Sequence, residues 1–151
     1  MDGVSGGRTQ EGVTVEVSDT VWSLVNFRKV SAGFLATSDK DGRCDIACIS
    51  SLQFSDSETM TMLTGNNRTL SNLKQNPNAA FITDRGDTME TTEGCRVYIE
   101  MTDIVEEGPV IEKGRQMIEQ TVNAEAAALI TAFVTFKVTE VRPLIDMGQE
   151  I

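Results

Sequence analysis

The stretch from Asn66 to Pro77 gathers the groups in this chain best suited to hold an anion. Small polar residues and one arginine stand at the start of a predicted short helix, from about Asn67 to Gln75. The first N–H groups of such a helix lack intrahelical partners, and its dipole is positive at that end. The Arg68 guanidinium can give charge-assisted, bidentate hydrogen bonds to a phosphate. The Thr69 hydroxyl and the Asn72 amide can add neutral donors, and Asn72, four residues on, shares a helix face with Arg68. Capping is the plainer reading, since Asn and Thr at a helix start need no ligand.

A second group of small residues, Ala47, Cys48, Ile49, Ser50 and Ser51, falls on a predicted strand. It leaves backbone open to a flat ring, although a plain core strand would read the same way. Gly94 and Arg96 could form another polar contact, or simply mark a loop boundary beside an exposed arginine.

Other chemistry is excluded. The chain has no histidine, which removes imidazole metal sites, Ser-His-Asp and Cys-His catalysis and histidine-ligated haem. There is no Gly-x-Gly-x-x-Gly, phosphate-binding Walker loop, nucleophile elbow or Cys-x-x-Cys. No metal site is expected, and no side chain is singled out as a catalyst. Cys44 and Cys48 share a strand and stand roughly 13 Å apart, too far for a disulfide. With Cys95 they make an odd, small number, which suits a reducing compartment. Cys44 and Cys48 read as small apolar packing residues.

The 151 residues suit one domain, and 40% are hydrophobic. The net charge of -10 opposes nucleic acid and anionic membranes as partners. No secretory signal opens the sequence and no apolar run approaches ~20 residues, so the expected location is the cytoplasm.

The elements that must position these residues follow in order. Residues 1–14, rich in glycine, are expected to be a disordered tail, and residues 15–151 the folded domain. Ser18-Asp19 caps a helix through about Val30. Gly33 to Ser38 is a strand, Asp39-Lys40-Asp41-Gly42 a hairpin turn, and Arg43 to Phe54 the return strand. Thr59 to Thr64 is a third strand. After the short helix, ended by Asn76-Pro77, Ala79 to Thr83 is a buried strand. Asp84 to Gly94 is a polar loop, and Cys95 to Val105 a longer strand. Gly108-Pro109 opens another helix, and Ala126 to Val141 is a closing strand that Pro143 stops. Short links between the first strands argue for antiparallel pairing. The expected fold is mainly β, a small six-stranded antiparallel barrel, closed or half-closed, with peripheral helices.

This order of elements resembles the FMN-binding split β-barrels related to pyridoxamine 5'-phosphate oxidase, over about Asp19 to Leu144. Gly33-Phe34-Leu35-Ala36-Thr37 with Asp41-Gly42 looks like that family's first hairpin. Thr64-Gly65-Asn66-Asn67-Arg68-Thr69, running into Asn72-Leu73 and Asn76-Pro77, looks like its phosphate-binding helix. Glu107-Gly108-Pro109 and the terminal strand look like its smaller members. The resemblance implies a homodimer with FMN at the subunit interface and a small flavin-dependent oxidoreductase. It implies that Arg68 and Thr69, with Asn72 close by, hold the phosphate, and that Leu63 and Thr64 line the flavin. Ala47, Cys48, Ile49 and Ser50 would lie along the isoalloxazine and ribityl chain. Arg-Thr keeps one positive charge where relatives often place two, and the missing histidines speak against pyridoxamine phosphate as substrate. Two other readings stay open: a binding module for deazaflavin F420 or haem, and a cofactor-free structural or regulatory barrel.

Overall fold

The computed structural model describes residues 12–28 and 33–151. Most of the expected tail, residues 1–11, and the expected end of the first helix, residues 29 and 30, lie outside them. The described elements are α1 (Asp19–Asn26), β1 (Gly33–Ser38), β2 (Cys44–Cys48), β3 (Gln53–Asp56), β4 (Thr59–Thr64) and α2 (Arg68–Gln75). They continue with β5 (Asn78–Arg85), β6 (Glu93–Val105), α3 (Pro109–Thr121), α4 (Ala124–Ala128) and β7 (Ala132–Pro143). Seven strands form one antiparallel sheet in the order β2-β1-β5-β6-β7-β4-β3.

That order corrects the six-strand expectation. The predicted return strand, Arg43 to Phe54, is two strands that belong to opposite edges of the sheet. In a flat sheet these edges would stand six spacings apart, about 29 Å. The link between them, residues 49–52, has four residues, and Cys48 to Gln53 can stretch only ~18 Å. The sheet therefore curls until its two edges meet, without a ladder between them.

Several features make the curl. β6 shifts register between Tyr98 and Ile99 and again between Met101 and Asp103, and such irregularities bend a strand. The enclosed faces supply the core: Leu35, Leu52, Phe54, Met60, Met62, Phe81, Val97, Ile99, Val134, Phe136 and Val138 are all buried. β7 alternates strictly, with Ala132, Val134, Phe136 and Val138 inside, the period-two pattern of a strand with one face in a core.

The first helix is shorter than predicted. Ser18 Oγ accepts from Val21 N (3.2 Å) at its start, and it ends at Asn26, two residues before Arg28 bonds to Ile49 and Ser50 of the link. Asn26 pairs with Phe54 of β3, its amide donating to the carbonyl (3.0 Å) and its oxygen accepting from the N–H (2.8 Å). Trp22 stacks on Phe54 with ring centroids 5.6 Å apart. The predicted closing strand also begins too early. Asn123 Oδ1 accepts from Ala126 N (2.7 Å), and this cap turns the alanine-rich segment into α4. The polar loop is shorter than expected, because β5 and β6 pair as far as Arg85 and Glu93.

Cys44 and Cys48 are not packing residues. β2 is an edge strand, and its residues Cys44, Ile46 and Cys48 face outward and are exposed. Cys95 is the buried thiol, and burial pushes its pKa from 9.0 up to about 11. Between those values the unfolded chain has lost the proton that the folded chain still holds, so stability falls as pH rises. The unfolding free energy from denaturant titrations should fall between pH 8.5 and 11 by an amount on the order of 2 kcal/mol from this group. Cys95→Ala, though less stable at pH 8.5, should lose less across that window; parallel curves would reject the assignment.

Candidate functional site

A cavity of about 330 Å³ opens where the curled sheet fails to close. One wall is the link itself, with Cys48, Ile49, Ser50 and Ser51. Opposite lie the end of β4 and the turn into α2: Leu63, Thr64, Gly65, Asn66 and Asn67. Ala126, Leu129 and Ile130, from α4 and the residues after it, supply an apolar third side.

The walls are tied by specific bonds. Ser51 Oγ donates to Leu63 O (2.7 Å) and accepts from Leu63 N (3.2 Å), doing across the split what a strand partner would do. Thr131 N donates to Thr64 O (3.0 Å). Gly65 is required by close approach: a Cβ there would sit 2.6 Å from Leu129 O. Arg115 Nε donates to Ile130 O (2.9 Å), holding the third wall against α3.

At the α2 end, Asn67 is the cap. Its Oδ1 accepts from Leu70 N (3.0 Å) and its Nδ2 donates to Thr64 Oγ1 (3.1 Å). The N–H groups of Arg68 and Thr69 lie in the first turn and have no intrahelical acceptor. The Arg68 side chain is 78% exposed, with Nη1 3.8 Å from Asp45 Oδ1. An exposed pair at that distance contributes little, so the guanidinium is held only loosely.

The structure brings Cys48, Ile49, Ser50, Leu63 and Thr64 together in the cavity wall, and leaves the other sequence-predicted residues outside it. Arg68 stands at the rim, one residue beyond Asn67. Ala47 is half-buried on β2. Thr69 and Asn72 are buried, and Asn72 Nδ2 donates to Thr37 Oγ1 (3.0 Å), docking α2 on β1. Capping and packing thus account for much of the motif's asparagine content. Arg96 lies apart, its guanidinium donating to Pro143 O (3.0 Å) and Asp146 Oδ2 (3.2 Å).

Sequence reasoning missed the third wall, because the segment holding Ala126, Leu129 and Ile130 was read as strand. Asn123 before an alanine run was the available signal. Among the described residues no group of three or more His, Cys, Asp or Glu is placed to hold a metal, and no helix is long and apolar enough to cross a membrane.

No protein-family profile matches this chain, and no curated protein sequence matches it. Solved structures do. An FMN-binding protein from Syntrophomonas wolfei subsp. wolfei is 23% identical, with a TM-score of 0.71 over 84% of this chain and 85% of that one. A putative pyridoxamine 5'-phosphate oxidase from Lactobacillus delbrueckii is 18% identical, with a TM-score of 0.60 over 83% and 93%. An F420 reductase is 19% identical, with a TM-score of 0.61 over 83% and 98%. The chain has the split-barrel fold of pyridoxamine 5'-phosphate oxidase-like proteins.

Ser51 and Ser50 are adjacent in the same wall, but only Ser51 has its hydroxyl bonded across the split. Ser51→Ala should lower stability by about 1–2 kcal/mol, because it strips two backbone groups of their partner. Ser50→Ala should stay within ~0.5 kcal/mol. Equal urea midpoints for the two variants would contradict this role.

Proposed function

We propose that this chain binds FMN in the cavity at the split, as a homodimer with the cofactor at the subunit interface, and acts as a small flavin-dependent oxidoreductase. The observation that carries the reading is the convergence of three unlike surfaces. Open backbone of the 49–51 link and the Leu63–Thr64 strand end can face a flat polar ring. Leu129 and Ile130 offer it an apolar side. The start of α2, with Arg68 and Thr69, offers its first-turn N–H groups and one cation to a phosphate. The volume lies at the small end of the range for ligand pockets, as expected of a site that a second subunit completes.

The second subunit has a surface to meet. On β2, Ile46 is 67% exposed, and its neighbours Cys44 and Cys48 are exposed beside it. Across the register Cys48 pairs with Phe34, which is 42% exposed, and Ile46 with Ala36. This contiguous apolar face adjoins the cavity through Cys48, and such faces mark contact sites. Two exposed thiols also suit the reducing cytoplasm.

A bound flavin would supply the hydride or electron transfer, while the protein holds and shields it. A deazaflavin is the second reading, favoured by the likeness to an F420 reductase. Titrating the purified protein with FMN and with F420, followed by fluorescence, separates them. Protein that is colourless and takes up neither would overturn both readings.

Arg68→Ala should weaken FMN binding by about 10–100-fold, the range for losing charge-assisted bonds. Arg85, whose Nη2 lies 3.4 Å from Glu93 Oε1 on the β5–β6 hairpin, should tolerate alanine without loss; equal effects would reject the phosphate site. Ile46→Lys should shift the light-scattering mass from two chains to one and weaken FMN binding with it. A variant that stayed dimeric and bound FMN normally would show that this face is not the contact.

A further inference from the structure

Arg28 reaches the link from outside the cavity. Its Nη1 donates to Val25 O (2.7 Å), and its Nη2 donates to Ser50 O (2.9 Å) and Ile49 O (3.4 Å). The guanidinium carbon lies 5.0 Å from the centre of the Phe81 ring. Room for this stack depends on Gly33, where a Cβ would fall 2.3 Å from Phe81 Cζ and 3.1 Å from Arg28 Nε. Burial lowers the pKa of the guanidinium from its ordinary value, against an opposing interaction with Cys48; the group stays charged at any physiological pH. Its Nε is buried without a partner among the described residues, so the side chain is held by its two ends.

The consequence lies on the other side of the peptides. No peptide bond among the described residues is cis, and a trans peptide points its C=O and N–H in opposite directions. Holding the carbonyls of Ile49 and Ser50 therefore turns the N–H groups of Ser50 and Ser51 away from Arg28. The Ile49 N–H is already bonded to Gly33 O (3.0 Å), whereas those of Ser50 and Ser51 have no acceptor among the described residues. Ile49, Ser50 and Ser51 line the cavity and Arg28 does not.

We propose that Arg28 is a positioning residue, which fixes the 49–51 peptides so that Ser50 and Ser51 present adjacent N–H donors to an acceptor edge of the ligand's ring. The proposal rests on the flavin reading for its ligand but not for its geometry. Arg28→Met and Arg28→Lys are titrated with FMN and with riboflavin, which is the same ring without the phosphate, well below each variant's unfolding temperature. Arg28→Met should weaken both by the same factor, about tenfold, as expected for losing about one hydrogen bond's contribution. Arg28→Lys, with its charge and one donor kept, should recover part of the loss. Arg68→Ala should weaken FMN and leave riboflavin unchanged.

In the ligand-free protein, Arg28→Met should shift the backbone amide resonances of Ser50 and Ser51 and speed their hydrogen exchange, with those of α2 unmoved. Unchanged affinities for both flavins would overturn the proposal, as would a loss confined to FMN, which would make Arg28 a phosphate contact. Unmoved amide resonances would also overturn it. If the wild-type protein bound neither flavin, the cofactor reading would fall while the amide resonances still decided the role of Arg28. If Arg28→Met failed to fold, Arg28→Lys would carry the same comparison.

Discussion

Four residues joining opposite edges of a seven-stranded sheet are the constraint on which this molecule depends. The link spans well under the ~29 Å that separates the edges of such a sheet laid flat. Curling is thus enforced by covalent geometry before any packing is counted. Burial of Leu52 in the link itself and Phe54 just beyond it then fastens the curled form. What the link cannot supply is a full ladder: among the described residues its one backbone bond to the sheet is Ile49 N–H to Gly33 O. Side chains act at and beside it instead: Arg28 holds the link carbonyls of Ile49 and Ser50, Ser51 of the link bonds Leu63 of β4, and Asn26 bonds Phe54 of β3.

The candidate site is a product of the same constraint. Where two edges meet without pairing, a cavity remains between them, and among the described residues the N–H groups of Ser50 and Ser51 have no acceptor. The helices decide what becomes of it. α1 ends at the split and covers its outer side with Asn26 and Arg28. α2 brings its positive end to the rim, docked by Asn72 on Thr37. α4 closes the third side, which is only feasible because Gly65 leaves its carbonyl room. A site built this way needs few dedicated side chains, which accounts for the absence of any catalytic constellation in the sequence motifs.

Much of this was legible in the sequence, and the misses share a cause. Turn and cap signals are local chemistry, so Ser18, Asp39 to Gly42, Asn76-Pro77 and Gly108-Pro109 marked real boundaries. The apolar stretches 59–64 and 79–83 and the later part of 126–141 are strands, as their composition suggests. The split of residues 43–54 into two strands could not be read, because its cause is a topology that pairs β2 with β1 and β3 with β4. The outward face of Cys44, Ile46 and Cys48 follows from the same edge placement. At the candidate site, the α2 start and the link residues do meet at one cavity, but Asn72 does not share an accessible helix face with Arg68. Thr69 and Asn72 lie on the helix side that packs inward, and Arg68 on the side that does not. Arg28 drew no notice, since one arginine after a helix has no periodic signature.

On the flavin reading, the two ends of the ligand meet different physics. The phosphate end is electrostatically thin. Arg68 is solvated, lies beside Asp45, and belongs to a chain of net charge -10 whose field opposes an anion. The first-turn N–H groups of α2 add only the short-range pull of a helix end, screened within about 10 Å at ordinary salt. The ring end is different: its donors would be backbone N–H groups fixed by a half-buried, stacked guanidinium that pays little extra entropy to hold them. Its apolar side, Leu129 and Ile130, grips through area and is insensitive to salt. Binding should therefore draw more of its free energy from the ring than from the phosphate. This ordering follows from where the structure places Arg68, exposed at the rim, and Arg28, clamped on the link.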